Sequence, residues 1–589
     1  MGGMGLVFNI AKDALIAERY SMDVTAHNIA NVDTPGYSRQ DPVMAARTPE
    51  NVKGLNFGTG ADIASITRNS DQLLENRLMK QKSSLLSSEE MTSYLQVLEG
   101  VFNENTDTSI SVLLSDFWNQ WHEISTNPSG STERIALFEH STLLSEQFLT
   151  LDEQMSQMTV DLTKSVSAGI DKVNQITAEI AETNRKITGL ELDQPAGDLR
   201  DKRNMLISEL SEYLDINTFE QANGTLTVVS ARGAILVQGD SSYDLKMGGV
   251  DGDRVLWQSS GGIQVDITDQ ISNGKINGWL DMRDEVLTKT RLDLDAMVKE
   301  FVWMVNAQHS QGVGFKLFEP GMTLTGTYQT GTDLGALPFG DRIQFVPNGF
   351  NLWIEDRTDP NNPAMNSVTI DLSGLNAGST LSDLAAAINN QIAAAGLAGV
   401  TADGSGTSIK FTADNDHAFG FSEDASNILA ALGVNTFFDG YGAGSIQVND
   451  TLTDVEYIAA GTIDSGGNYA SGDNNNAMAI ADLQFARTPI EQWIADRVNG
   501  NTAVNVTSTI EDYYHGMVGS IGLTSSTVSR SMGFNEEMVT KLQEMRDAIS
   551  GVSLDEEMTN LIKYQHAYSS AAKLVTVADE MLQTLLDMR

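Results

Sequence analysis

The sequence predicts an α+β multidomain chain. Its N- and C-terminal helices pair as a coiled-coil or helical-bundle stalk, and mainly β domains are inserted in the middle. Three observations point there. The chain opens on a heptad seam of small residues and closes on a long helical seam with no slip. Between them lie many short β-prone runs rich in Gly, Asp, Asn and Thr.

The opening seam is Val7, Ile10, Ala14, Ala17, Ser21, Val24 and Asn28. Steps of three and four put these residues on one helix face, and their small size lets a partner helix approach closely. The run Asn28-Ile29-Ala30-Asn31-Val32-Asp33-Thr34-Pro35-Gly36-Tyr37 then stops the helix, because Asn, Asp and Pro-Gly are turn formers. Residues 1–65 form this axial helix with its turn.

Residues 66–215 read as a long helical bundle segment. Leu74, Leu78, Leu85, Leu95, Leu98 and Phe102 mark one helix. After a break at Asn127-Pro128-Ser129-Gly130, a stripe runs from Leu151 through Val166 and Ile180 to Ile187. A pattern of that length belongs to a coiled coil or bundle. Gln194-Pro195-Ala196-Gly197 ends it, and another helix starts near Asp198. There Asp198 stands four residues before Lys202, which reads as a solvated helix face.

Residues 216–275 form a β segment, with strands at Thr225–Val229 and Ala234–Val237. Residues 276–311 are helical, marked by Leu287, Leu292, Leu294, Met297, Phe301 and Met304. Residues 312–475 are an inserted β-rich outer part. Strands are expected at Ile343–Val346, Val368–Ile370 and Ser408–Phe411, and a helix from Leu381 to Ala394. Residues 476–550 return as a helical bundle segment. Residues 551–589 are the C-terminal axial helix, with the seam Leu561, Tyr564, Tyr568, Ala571, Val575, Ala578, Leu582 and Leu585. Ser553 three residues before Glu556 makes a capping box at its start. Pairing of the two ends would leave further apolar faces for neighbouring copies.

Composition removes several function classes. Seventy-nine acids against 37 basic residues give a formal net charge of −42, which repels nucleic-acid phosphates and anionic membrane surfaces. No stretch reaches the ~18 apolar residues of a membrane span. Lys12, Asp13, Glu18 and Arg19 break up any apolar core of a secretory signal. Without cysteine there are no disulfides, thiolate metal sites or thiol nucleophiles. The sequence has no Gly-x-Ser-x-Gly elbow, phosphate-binding Gly-Lys loop or His-Glu-x-x-His. The seven histidines are scattered, and Asp414-Asn415-Asp416-His417 reads as a solvated turn because it lacks the Gly and distal Glu of a calcium loop. No catalytic residue, cofactor or metal is expected, and the chain is not read as an enzyme.

The run Asn28 to Gln40, ending Tyr37-Ser38-Arg39-Gln40, resembles the N-terminal signature of the flagellar rod, hook and hook-associated proteins, and most of all the hook-associated protein 1 family of hook–filament junction proteins. Gly551-Val552-Ser553-Leu554-Asp555-Glu556-Glu557-Met558 with Leu561 to Tyr568 resembles the same family's C-terminal motif. Asp198-Leu199-Arg200-Asp201 and Gly274 to Asp284 agree. The resemblance implies a structural ring subunit of the bacterial flagellum whose terminal helices pack around a channel. Val7 to Asn28 and Leu561 to Leu585 would form the assembly surface. The signature turn, carried by Asn28, Asn31, Pro35, Gly36 and Tyr37, would set how the chain leaves the axial core. Implied partners are copies of the chain, the hook protein, the second junction protein (hook-associated protein 3) and an export chaperone on the C-terminal helix. Location is extracellular, reached by type III export without a cleavable signal. Alternatives are another axial protein (hook, distal rod or second junction protein), or a secreted carbohydrate-binding or hydrolytic β domain on a helical stalk. Because terminal helices with small-residue seams are marginal alone, residues 1–60 and 555–589 are expected to order on assembly.

Overall fold

The computed structural model describes residues 2–52, 54–103, 108–190, 196–221, 224–359 and 363–587. Helix α1 (Gly2–Ala30) is followed by strands β1 (Gln40–Ala46), β2 (Glu50–Val52), β3 (Leu55–Phe57) and β4 (Ala61–Arg68). Helices α2 (Gln72–Val101), α3 (Ile110–Thr126), α4 (Ser131–Leu190) and α5 (Gly197–Tyr213) come next. Strands β5 (Ile216–Glu220), β6 (Leu226–Ser230), β7 (Ile235–Gln238), β8 (Ser241–Ser242), β9 (Leu245–Gly248), β10 (Arg254–Gln258) and β11 (Gln264–Asp266) precede α6 (Lys275–Asp281) and α7 (Thr288–His309). The inserted part holds β12 (Thr323–Thr325), β13 (Phe350–Asp356), β14 (Ala364–Ile370), α8 (Leu381–Ala394), β15 (Val400–Asp403), β16 (Lys410–Ala413), β17 (His417–Ser422), α9 (Ile428–Leu432), β18 (Phe438–Asp439) and β19 (Gln447–Val448). The chain closes with α10 (Asn475–Asp482), β20 (Thr488–Ile494), β21 (Thr502–Ser508), α11 (Ile510–Ser550) and α12 (Leu554–Asp587).

The chain divides into two compact units. One holds residues 1–94, 161–282 and 526–589, and the other 95–160 and 283–525. In the first unit, α1 and α12 run along each other, and β1 pairs antiparallel with β4 beside α1. The expected stripe of α4 is buried from Leu162 to Ile187. Helix α6 meets α2 at very close range, since a Cβ on Gly278 would stand 2.5 Å from the Ser87 carbonyl oxygen. Trp279 Nε1 then donates to Glu90 Oε2 at 2.8 Å. The sheet β5-β6-β7-β8 is tied to α4 by Asn184, whose Nδ2 donates to Leu226 O at 2.8 Å.

The second unit has an aromatic core. Phe117 and Trp121 of α3 pack on Phe437, and Phe117 also on Phe301 of α7. His309 lies wholly inside. Its Nε2 accepts from Ala459 N at 3.0 Å, so Nδ1 carries the proton and donates to Asn435 O at 2.8 Å. Burial pushes this imidazole down to about 4. Arg134 is also buried. It donates to the Ile458 carbonyl oxygen at 2.5 Å and lies 3.8 Å from the centre of the Phe315 ring. Two antiparallel sheets, β14-β13-β17 and β12-β16-β15, build the inserted part.

Three expectations are corrected. Ile343–Val346 is not a strand. Its donors find scattered partners, such as Gln344 N to Ser426 O at 2.8 Å, and Pro347 cannot continue a ladder. Residues 476–550 are not helical throughout, because β20 and β21 form an antiparallel hairpin. Thr, Val, Ile and Trp suit a pleated surface, and Ile490 is buried where β20 packs on α7. The stretch after the first turn, read with the axial helix, also folds as strands β1 to β4. The expected helix end at Gln194-Pro195 lies outside the described residues.

Candidate assembly site

Helix α1 carries its small residues inward. Ala17, Ser21, Val24 and Asn28 are buried, Ile10 and Ala14 are half-buried, and Val7 is exposed. On α12, Ala571 and Ala578 are buried, and Leu561, Tyr564 and Val575 are half-buried. Tyr568 and Leu582 are exposed, and the Leu585 side chain lies outside the described residues. The two helices run antiparallel. Asn28, near the end of α1, meets Glu557 in the first turn of α12, while Glu18 acts electrostatically on Lys563 and Tyr564 further along.

The signature turn closes on this pair. Asn31 Nδ2 donates back to His27 O at 3.0 Å, and Thr34 Oγ1 donates to Asn31 Oδ1 at 3.2 Å. Pro35 is exposed and leads into Gly36, whose φ of +76° suits glycine. Tyr37 folds back edge-on to His27, and its hydroxyl donates to Asn28 Oδ1 at 2.8 Å. Burial raises the Tyr37 phenol, and the charges of Asp198, Asp201 and Glu557 add to this.

Asn28 is the hub. Its Oδ1 also accepts from Gln40 N at 3.0 Å. Its Nδ2 donates to Gln40 O at 2.9 Å and to Glu557 Oε2 at 3.0 Å. One buried amide thereby joins the end of α1, the start of β1 and the start of α12. Arg39 extends the network: its Nε lies 2.9 Å from Glu557 Oε1 and its Nη1 2.9 Å from Glu556 Oε2. The Arg39 backbone N–H donates to Ser550 O at 2.9 Å.

Helix α5 holds the other side of the turn. Asp201 Oδ2 accepts from Ser38 N at 3.2 Å, and Oδ1 lies 3.2 Å from Arg68 Nε. Asp198 Oδ1 accepts from Gln40 Nε2 at 3.0 Å. Asp198 and Lys202 are exposed, as the solvated-face reading has it, but the same helix also turns a buried charged face inward. Asp201 and Arg203 are buried, and Arg203 Nη1 donates to Asn184 Oδ1 at 3.0 Å and Gly224 O at 2.7 Å. Burial raises the Asp201 carboxyl, against the opposing pull of Arg68 and the Ser38 hydrogen bonds. Glu556, expected in a capping box, instead accepts from Arg39.

Sequence reading missed Ala11, Thr25, Arg39, Arg68, Asp201 and Glu557 as members of this site. Ala11 and Thr25 were legible, since each follows a seam residue and widens the stripe. Arg39, Asp201 and Glu557 stood in the signature motifs, but nothing in the local pattern marked them or Arg68 for burial, because charged side chains are ordinarily exposed. Among the described residues no group of three or more His, Cys, Asp or Glu is placed to hold a metal ion, and no helix is long and apolar enough to cross a membrane.

The comparisons with known proteins match the same stretches. The profile of the flagellar hook-associated protein FlgK helical domain matches residues 95–324. That of the flagella basal body rod protein matches residues 8–37, and that of the flagellar basal body rod FlgEFG protein C-terminal region matches 537–588. The chain is 24% identical over 607 residues to flagellar hook-associated protein 1 of Escherichia coli strain K12, covering 100% of both. It is 24% identical over 596 residues to the protein of that name in Bacillus subtilis strain 168, covering 99% of this chain and 98% of the other. The solved flagellar hook junction protein FlgK from Burkholderia pseudomallei shares its fold, with a TM-score of 0.50 at 16% identity over 81% of this chain and 100% of that one. The antiparallel helix pair at the two ends and the matches along the whole chain give one conclusion: the chain is similar over its full length to the flagellar hook-associated protein 1 family.

Proposed function

We propose that the chain is a structural subunit of the hook–filament junction of a bacterial flagellum and catalyses no reaction. The observation that carries this reading is the antiparallel pair α1–α12. It buries one small-residue seam and leaves other faces apolar and exposed, among them Val7 and Phe8 on α1 and Leu574, Val577 and Met581 on α12. Copies of the same pair, arranged as a tube, cover such faces. The assembly surface comprises Val7, Ile10, Ala14, Ala17, Ser21, Val24 and Asn28 with Leu561, Tyr564, Tyr568, Ala571, Val575, Ala578, Leu582 and Leu585. Hook protein lies on one side of the ring, and the second junction protein on the other. An export chaperone binds α12 before the subunit leaves the cell, with no cleaved signal, and the terminal helices order on assembly.

Deleting residues 565–589 in a flagellated host tests this. Expected are cells with hooks, no attached filament, and filament subunits shed into the medium. Normal filaments on cells carrying only the truncated chain would refute the reading.

A further inference from the structure

We infer that Arg39 and Glu557 are positioning residues that fix the axial register of α12 on α1. The seam itself specifies register weakly. Most of its buried members, among them Ala11, Ala17, Ser21, Ala571 and Ala578, are small, and such side chains form shallow knobs. A slide by one helical turn, about 5.4 Å, would bring a similar surface into contact.

The polar end of the pair is different. Glu557 is 1% exposed, and both its oxygens are engaged by groups outside its own helix. Oε2 accepts from Asn28 Nδ2 at 3.0 Å, and Oε1 meets Arg39 Nε at 2.9 Å. Neither partner can follow a sliding helix. Asn28 is held by Gln40 and Tyr37, and Arg39 is anchored by its backbone to Ser550 at the end of α11. A one-turn slip therefore leaves a carboxylate buried without partners, a state far costlier than misaligned alanines. Glu556 touches the same guanidinium from an exposed position, where water can replace it, so it should contribute little to register.

This inference concerns contacts within one chain, while its use in the flagellum rests on the proposed function. The absence of native cysteine makes a direct test available. Glu18 acts electrostatically on Lys563 and Tyr564, and seven residues back along α1 and seven forward along α12 stand Ala11 and Ala571, both buried, as the expected facing pair. Ala11→Cys is combined in turn with Ala567→Cys, Ala571→Cys and Val575→Cys, and disulfide yield is read in the purified chain and in isolated flagella. With Arg39 and Glu557 intact, the Ala11–Ala571 pair should dominate its neighbours by about tenfold or more. Glu557→Gln, and separately Arg39→Gln, should bring the three yields to within about threefold, while Glu556→Gln should leave them unchanged. Loss of packing alone would lower all three yields together and keep their ratio. An unchanged ratio in both Glu557→Gln and Arg39→Gln overturns the inference. Absence of the cysteine-bearing chain from isolated flagella would instead count against the proposed function.

Discussion

Asn28 Nδ2 donates to Glu557 Oε2 across 3.0 Å, joining residues 529 positions apart in the chain. The bond lies inside a buried network, so neither partner can turn to water when the other is lost. This makes the two ends of the chain interdependent at one point, and it sets the first expectation.

Asn28→Ala strands the Glu557 carboxylate and the Gln40 backbone, and should destabilise the first unit by about 2–3 kcal/mol. Asn28→Asp should cost more, because it sets a second carboxylate against Glu557. Urea unfolding of the two variants checks the order. Equal stability of Asn28→Asp and wild type would contradict the hub.

Gly36 has φ +76°, and a Cβ there would stand 2.5 Å from Met205 Cγ. Met205 is flexible and half in solvent, so it can move away. The backbone conformation should then supply most of the cost of Gly36→Ala, about 1 kcal/mol. Thermal unfolding of Gly36→Ala with and without Met205→Ala separates the two causes. Rescue by Met205→Ala would show that the clash dominates.

His309 gives the second unit a pH signature. Its ring titrates near 4 when folded against 6.5 unexposed to the fold, so the unfolded chain binds more protons between those values. Its contribution is therefore complete above pH 6.5 and declines as pH falls to about 4, by about 3 kcal/mol. Asp424 and Asp439, raised by burial to about 6, oppose this by taking up protons in the folded state. The expected readout is the stability difference between wild type and His309→Gln, which should shrink across that window. A pH-independent difference would contradict a neutral buried ring.

Arg134 places a guanidinium on Phe315 while donating to the carbonyl oxygens of Ile458 and Pro128. Arg134→Met should cost the second unit about 2–4 kcal/mol, because carbonyls once paired with a cation are left buried. Arg134→Lys should recover less than half of that, since an ammonium cannot reproduce the planar fork. Chemical denaturation measures both.

The sequence by itself determined the α+β class, the two terminal seams, the helix stop at Asn28 to Tyr37 and the helix Leu381–Ala394. Each is a local or periodic property, readable from side chains a few residues apart. The hairpins at 40–68 and 488–508 were not legible, because two-stranded pairing depends on what covers one face, here α1 and α7. Only the tertiary structure decided that Asp201, Arg39 and Glu557 are buried. Charged side chains enter an interior only where partners from distant segments meet them, and no local pattern encodes that meeting. Three motifs separated by hundreds of residues thus became one polar knot around Asn28.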